Sequence, residues 1–367
     1  MTYLDYSATT FTDKEVMDSF IKASEYFGNP NSLHKLGVKA KELIDASSRQ
    51  IADILNIKPS EIIYTSGASE ANNMVIKAME NYKNRGKHIV TTELEHSSIY
   101  GPLKYLENKG FTIDYVPLKN GIVDIKALED MLEDTSLVTI SMVNSETGIR
   151  QPIEEIGKML KKYPKVFFHT DITQAIGKIK FDLSDVDFAS FSAHKFFGIK
   201  GIGGLYKKEN IEISPLIHGG KSTTIYRSGT PSTPLIVSMA KALRLSYENM
   251  DSDLNKVKEL NLCLKEELSK YDKIKINSNE NSIYHILNFS VLGVKPETFM
   301  HSLEENDVYI STQSACATGN YSKAVLALTS DMERASSSLR VSISRKTTKE
   351  DIENFLKAFK ESYSKLI

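Results

Sequence analysis

The segment Val186-Asp-Phe-Ala-Ser-Phe-Ser-Ala-His-Lys-Phe-Phe-Gly-Ile-Lys-Gly-Ile-Gly-Gly-Leu-Tyr206 reads as a strand, a reactive turn and a second strand. Its first part, Val186 to Phe191, is short and apolar, and it delivers a hydroxyl, an imidazole and an amine within four residues, Ser192, His194 and Lys195. Gly198, Gly201, Gly203 and Gly204 follow before Leu205-Tyr206 resumes the strand pattern. Lys195 therefore belongs to a strand end and not to a solvated helix face. Among Phe191, Phe196 and Phe197 it is partly desolvated, which disfavours the ammonium and makes the amine a better nucleophile toward a carbonyl. That is Schiff-base chemistry. The bland alternative is a surface lysine beside a glycine turn. The glycine run imitates a dinucleotide fingerprint, but that motif opens a helix and this one leads into a strand, so that reading is set aside.

Upstream, strand and helix alternate. Ile62-Ile-Tyr-Thr65 is a buried strand, Ser66-Gly-Ala-Ser-Glu70 a tight turn, and the chain is helical from Ala71. Small residues at such a junction, Ala68 and Ser69 here, let backbone N–H groups and the helix dipole face an anion. An ordinary cap at Ser66 fits the same turn. Further strands are predicted over 88–92, 112–116, 137–143 and 166–169, each leading into a turn and a helix. The alternation argues for a mostly parallel sheet with helices on both faces, where functional groups collect at the carboxyl ends of strands. Ser69, His96, Asn144, Asp171, Gln174 and Lys195 all fall there. Downstream, 218–231 is an irregular loop, helices are predicted over 233–247 and 254–271, and the polar stretch 248–253 marks a domain boundary. Strands over 283–291, 308–310 and 340–343, with helices over 296–306 and 348–363, make an α+β second unit.

The chain has 367 residues, 41% apolar and 25% charged, with a net charge of -1, so no field gathers nucleic acid or anionic lipid. The start carries neither a basic nor an apolar leader and no apolar run could span a bilayer, so a cytoplasmic protein is expected. Two cysteines are too few for a disulfide framework. Cys263, among Leu260, Leu262 and Leu264, is expected to be an inert packing residue. Cys316 lies in the small-residue stretch Ser311-Thr-Gln-Ser-Ala-Cys-Ala-Thr-Gly-Asn320, where no apolar helical neighbour would bury it.

In order along the chain, Tyr-Leu-Asp-Tyr-Ser-Ala-Thr-Thr, Gly-Asn-Pro-Asn-Ser-Leu-His, Thr-Ser-Gly-Ala-Ser-Glu-Ala-Asn-Asn, Glu-His-Ser-Ser, Asp-Ile-Thr-Gln-Ala-Ile-Gly-Lys and Ser-Ala-His-Lys together resemble the NifS/IscS-like cysteine desulfurases of the class V aminotransferase group. The resemblance covers essentially the whole chain. It implies the fold type I of pyridoxal 5'-phosphate enzymes: an α/β large domain with a mostly parallel seven-stranded sheet over 12–250, and a smaller α+β domain from 1–11 and 251–367. By the same resemblance Lys195 is the cofactor lysine, and Ala68, Ser69, Ser192 and His194 hold the phosphate. Asp171 faces the pyridine nitrogen, Gln174 the ring hydroxyl, and His96 stacks on the ring, where it can shuttle protons; Asn144 lies at the cofactor and substrate. Arg340 matches the arginine that grips the substrate carboxylate, a task suited to a bidentate guanidinium. A homodimer is implied, with Thr230 lent to the partner's phosphate. The matching cysteine, Cys316, attacks the sulfur of L-cysteine as a thiolate, becomes a persulfide and leaves alanine. The sulfur then goes to an acceptor protein, a scaffold of iron–sulfur cluster biogenesis or a tRNA thiolation enzyme. No metal, nucleic acid or membrane is implied.

Three departures stand out. Gly219-Gly220-Lys221-Ser222-Thr223 replaces a Gly-rich run that ends in an acid, Asn144-Ser145 replaces an Asn pair, and the stretch after Cys316 is shorter. A selenocysteine lyase or another class V enzyme is the alternative reading of the same motifs, and a weakly active scaffold paralogue is the non-enzymatic one.

Overall fold

The computed structural model describes residues 1–312 and 321–367. Its main sheet has seven strands: β1 (Ile62–Thr65), β2 (His88–Thr91), β3 (Thr112–Tyr115), β4 (Thr135–Thr139), β5 (Phe167–Asp171), β6 (Phe188–Ser192) and β7 (Gly203–Lys207). They lie in the order β1-β7-β6-β5-β4-β2-β3. Only β7 runs against its neighbours, pairing antiparallel with both β1 and β6. Helices α1 (Lys14–Ser24), α2 (Lys35–Leu55), α3 (Ala68–Ala78), α4 (Ser97–Glu107), α5 (Ile153–Leu160) and α6 (Thr233–Glu248) accompany the sheet.

Strand side chains alternate between two faces, and here both faces are apolar. Tyr64, Val90, Val138, Phe168 and Phe191 enter the core shared with α2, α5 and α6. Ile63, Ile89, Leu137, Phe167 and Leu205 enter the core shared with α3 and α4. A sheet buried on both sides leaves only its edges and strand ends for chemistry.

A third apolar core joins α7 (Met250–Leu268), α8 (Pro296–Glu304) and α9 (Lys349–Leu366) to a sheet of Ile274–Ile276, Ile286–Val291 and Ser338–Ser342. Leu4 belongs to this core although it stands at the other end of the chain. Thr2 and Tyr3 pair in parallel with Val308 and Tyr309, so the N-terminal segment starts on the C-terminal unit and then crosses to Lys195. Among the described residues no helix is long and apolar enough to cross a membrane.

Two expectations need correction. Cys263 is exposed, not packed. The buried stripe of α7 is Val257, Leu260, Asn261, Leu264 and Leu268, a helical spacing that passes Cys263 by, and its neighbour Leu262 is 47% exposed. The strand predicted from Val186 begins at Phe188 and takes in Ser192, because the Val186 N–H closes a turn onto the Leu183 carbonyl. That shift makes Ser192 the carboxyl-terminal residue of an interior strand.

Candidate active site

β6 ends at Ser192 and β7 begins at Gly203, and the two residues face each other in the ladder, with Thr65 of β1 opposite Gly203 on its other side. This junction is tight. A Cβ on Gly203 would meet the Phe191 carbonyl oxygen at 2.4 Å and the Gly67 Cα at 2.6 Å, so only glycine fits. The close approach lets α3 start directly over the strand ends. Its N-cap is Gly67, not Ser66, and supplies no side-chain cap; the Ser66 N–H instead donates to Glu70 Oε2 at 2.7 Å. The Ala68 N–H donates to Ser192 Oγ at 2.7 Å, and Ser69 is exposed in the first turn. Glu70 also pairs with Arg227, whose Nε donates to Oε1 at 2.9 Å. An uncapped helix start beside a serine hydroxyl suits an anionic group.

Lys195 follows in a short 3-10 turn, Ala193–Lys195. Its Nζ donates to the carbonyls of Ser7 at 2.5 Å and Ala8 at 2.8 Å. Thr10 braces the same turn: its N–H donates to the His194 carbonyl at 2.9 Å, and its hydroxyl accepts from the Phe197 N–H at 2.9 Å. Phe197 sits at φ 65, a left-handed conformation that costs a bulky residue roughly 1–2 kcal/mol. That strain is held beside Lys195 by the N-terminal segment. His194 turns toward the same segment, its Nδ1 lying 3.1 Å from Thr9 Oγ1. Burial, reinforced by Lys195, pushes His194 down to about 4, so the imidazole is neutral.

Asp171 closes β5. Its Oδ2 accepts from Asn72 Nδ2 at 2.8 Å and its Oδ1 from the Thr173 N–H at 2.9 Å. Gln174 is held by two neighbours. The Ser7 carbonyl can only accept and takes Nε2 at 2.9 Å, which fixes the amide, and Oε1 is left to accept from Lys178 Nζ at 2.6 Å. The Lys178 amine is held down to about 7, first by burial and then by Lys195 and Arg340. His96 caps α4, its Nδ1 accepting from the Ser98 N–H at 3.1 Å. Burial lowers its pKa, with Lys195 acting the same way and Asp171 and Glu146 opposing.

Arg340 arrives from the small unit, only 2% exposed. Its guanidinium donates to Asp5 Oδ1 at 2.6 Å and to the Ser145 carbonyl at 2.9 Å. Asn144, expected at the cofactor, spends its amide inside its own turn: Nδ2 donates to the Leu94 carbonyl at 2.8 Å, and Oδ1 accepts from the Glu146 and Thr147 N–H groups. Its contribution is the turn that presents the Ser145 carbonyl to Arg340. Thr230 lies exposed in the loop before α6, and Cys316 lies outside the described residues. Within the loop, Ser228 Oγ donates to the Gly220 carbonyl at 2.7 Å, so Lys221 and its neighbours sit on a braced turn.

The donor set fits pyridoxal phosphate on its own chemistry. A buried carboxylate suits a pyridinium nitrogen, an uncapped helix start suits a phosphate, and a partly desolvated amine suits an aldehyde. Four neighbours escaped the sequence reading: Asp5, Asn72, Ser98 and Lys178. Asn72 stands one helical turn after Ala68, a spacing that puts it on the same face; the others had no periodic signal.

The chain matches the aminotransferase class-V family over residues 2–355. It is 40% identical to a NifS/IcsS protein homolog of Lactobacillus delbrueckii subsp. bulgaricus, covering 99% of this chain and 97% of that protein. It is 37% identical to a cysteine desulfurase IscS of Clostridium botulinum, covering 96% and 92%. Among solved structures, a NifS-like protein superposes with a TM-score of 0.94 at 35% identity, covering 100% of both chains.

Proposed function

The chain belongs to the class-V aminotransferase family as a pyridoxal-phosphate enzyme of the NifS/IscS cysteine desulfurase group, and from this we propose that it moves the sulfur of L-cysteine onto Cys316 and releases L-alanine. The observation that carries the reading is the gathering of Lys195, Asp171 and the α3 start with Ser192 at the carboxyl ends of β5 and β6, with Arg340 joined to them through the N-terminal segment that bonds both it and Lys195. When bound, the cofactor supplies an electron sink for the substrate carbon that bears the amino group. Asp171 would supply a negative charge for the ring nitrogen and favour its protonated form. Ser192, the first N–H groups of α3, Ala68 and Ser69 included, and His194 would hold the phosphate. Lys195 would hold the cofactor through its aldehyde and would hold or move a proton at Nζ. Arg340 turns one face of its guanidinium to the substrate carboxylate, which orients the thiol. Gln174, its amide fixed by the Ser7 carbonyl, would hold the ring oxygen. Cys316 acts as a thiolate: its sulfur bonds to the substrate sulfur as the carbon–sulfur bond breaks, and the bonding pair left on carbon is protonated to give alanine, so no external oxidant is needed.

The finer reading has three parts. The large unit spans 12–250 and the small unit 1–11 with 251–367, supported by the place of Leu4 in the C-terminal core. The protein works as a homodimer, Thr230 serving the partner's phosphate. Phe27 at 80%, Leu33 at 97% and Ile225 at 63% exposure support this as apolar side chains that a partner subunit would cover. The persulfide passes to an acceptor protein of iron–sulfur cluster assembly or tRNA thiolation in the cytoplasm.

The test is release of sulfide and alanine from L-cysteine with a thiol reductant. Wild type is expected to give equal amounts and Cys316→Ser almost none. Cofactor-loaded wild type that turns over no cysteine would overturn the reading.

A further inference from the structure

Asn72 is fully buried on α3 and is used twice. Its Nδ2 donates to Asp171 Oδ2 at 2.8 Å and to Ser98 Oγ at 2.9 Å. The Ser98 hydroxyl, having accepted that proton, has its own to give, and His96 Nδ1 lies 2.8 Å away. The Ser98 backbone N–H points at the same nitrogen at 3.1 Å. A backbone N–H can only donate, so Nδ1 must be an acceptor, and in a neutral imidazole the proton then sits on the other nitrogen. Building on the reading that the cofactor lies between Asp171 and His96, we propose that Asn72 and Ser98 are positioning residues that hold His96 with its proton on Nε2 and tie it to Asp171.

The consequence concerns direction of proton flow. His96 meets the substrate with an N–H and not with a lone pair, so its first act is to donate a hydrogen bond or a proton from Nε2. Protonating Nδ1 would displace two donors at once, which disfavours the imidazolium. The charged groups facing His96 divide. Lys195 also favours the neutral ring, while Asp171 and Glu146 favour the charged one. Loss of the Ser98 hydroxyl removes one stabiliser of the neutral form and tips that balance.

The experiment is nitrogen NMR of full-length protein labelled with 15N-histidine, with and without added pyridoxal phosphate, using His96→Gln to assign the His96 signals. Wild type is expected to show a bare Nδ1 and a protonated Nε2 in both samples. Ser98→Ala is expected to move the His96 titration upward while the backbone N–H still keeps Nδ1 bare, and Ser98→Thr, which keeps the hydroxyl, to restore the titration. Asn72→Leu is expected to move it the same way by less, since the Ser98 N–H contact stays. A proton on Nδ1 in wild type, or a titration unmoved in Ser98→Ala, overturns the proposal. The outcome without cofactor is independent of the functional reading: absence of a bound chromophore in the loaded sample would sink that reading and leave the tautomer result standing.

Discussion

At the Asp171 end the carboxylate is held by Asn72 and the Thr173 N–H, and His96 by Ser98, groups that have no other task there; at the Arg340 end the guanidinium is paired with Asp5, a carboxylate of the kind it is proposed to bind in the substrate. The first end is preorganised, so a cofactor entering it meets partners already in place. The second is self-paired, and a substrate carboxylate must share or displace Asp5. The same holds for Lys195, whose amine rests on the Ser7 and Ala8 carbonyls. Asp5, Ser7 and Ala8 all come from the N-terminal segment, which thereby occupies groups proposed to bind cofactor and substrate.

Removing the nucleophile should erase the difference between the ends. Lys195→Ala is expected to lose the bound chromophore and to lower kcat/KM on the order of 10³-fold or more, measured by absorbance and by alanine release. Survival of the chromophore would break the assignment. At the self-paired end, Arg340→Lys keeps a charge but loses the planar fork. Hydrogen bonds to charged groups are worth about 1.5–3 kcal/mol, so kcat/KM for L-cysteine should fall roughly 10- to 150-fold while cofactor binding is unchanged. Equal loss of both would show that the two ends are not separable.

Asp5→Asn sharpens the comparison further. Breaking a fully buried pair costs roughly 3–5 kcal/mol, and because Asp5 keeps 20% of its side chain exposed the cost should be nearer about 2 kcal/mol by denaturant unfolding. KM for L-cysteine should fall in this variant, since the competing carboxylate has lost its charge; a rise in KM would mean that Asp5 orients Arg340 and does not compete with substrate.

The smallest effect lies behind the preorganised end. Glu95, which accepts from Thr92 Oγ1 and from the Ser141 N–H and hydroxyl, is pushed by burial from 4.5 up to about 7. Its folded value is above its unfolded one, so the folded protein binds the proton more tightly. The stability this adds is fully present below about 4.5 and is lost as pH rises through about 7. Melting temperature measured from pH 5 to 8 should fall with pH more steeply in wild type than in Glu95→Gln. Equal slopes would remove Glu95 as the source.

Much of the site was readable because strand ends announce themselves. Lys195, Asp171, Ser192 and His96 each follow an apolar run at a turn, and parallel sheets gather such positions on one edge. Cys263 shows the limit: apolar neighbours in sequence suggested burial, yet in a helix the neighbours that matter are three and four residues away. Asn144 shows another. A side chain of the right type in the right motif can be consumed by its own turn, and only the hydrogen-bond inventory reveals it.

Local pattern along the chain, periods of two and 3.6 and motif order already specify the alternation of elements, the candidate lysine and the family resemblance. Tertiary structure alone decided what each group is bonded to. Asn72 meets Asp171 across 99 positions, Arg340 meets Asp5 across 335, and Lys195 meets Ser7 across 188. Contacts between residues so far apart leave no periodic trace along the chain, and they are fixed only when three apolar cores and one doubly covered sheet bring their strand ends to a common edge.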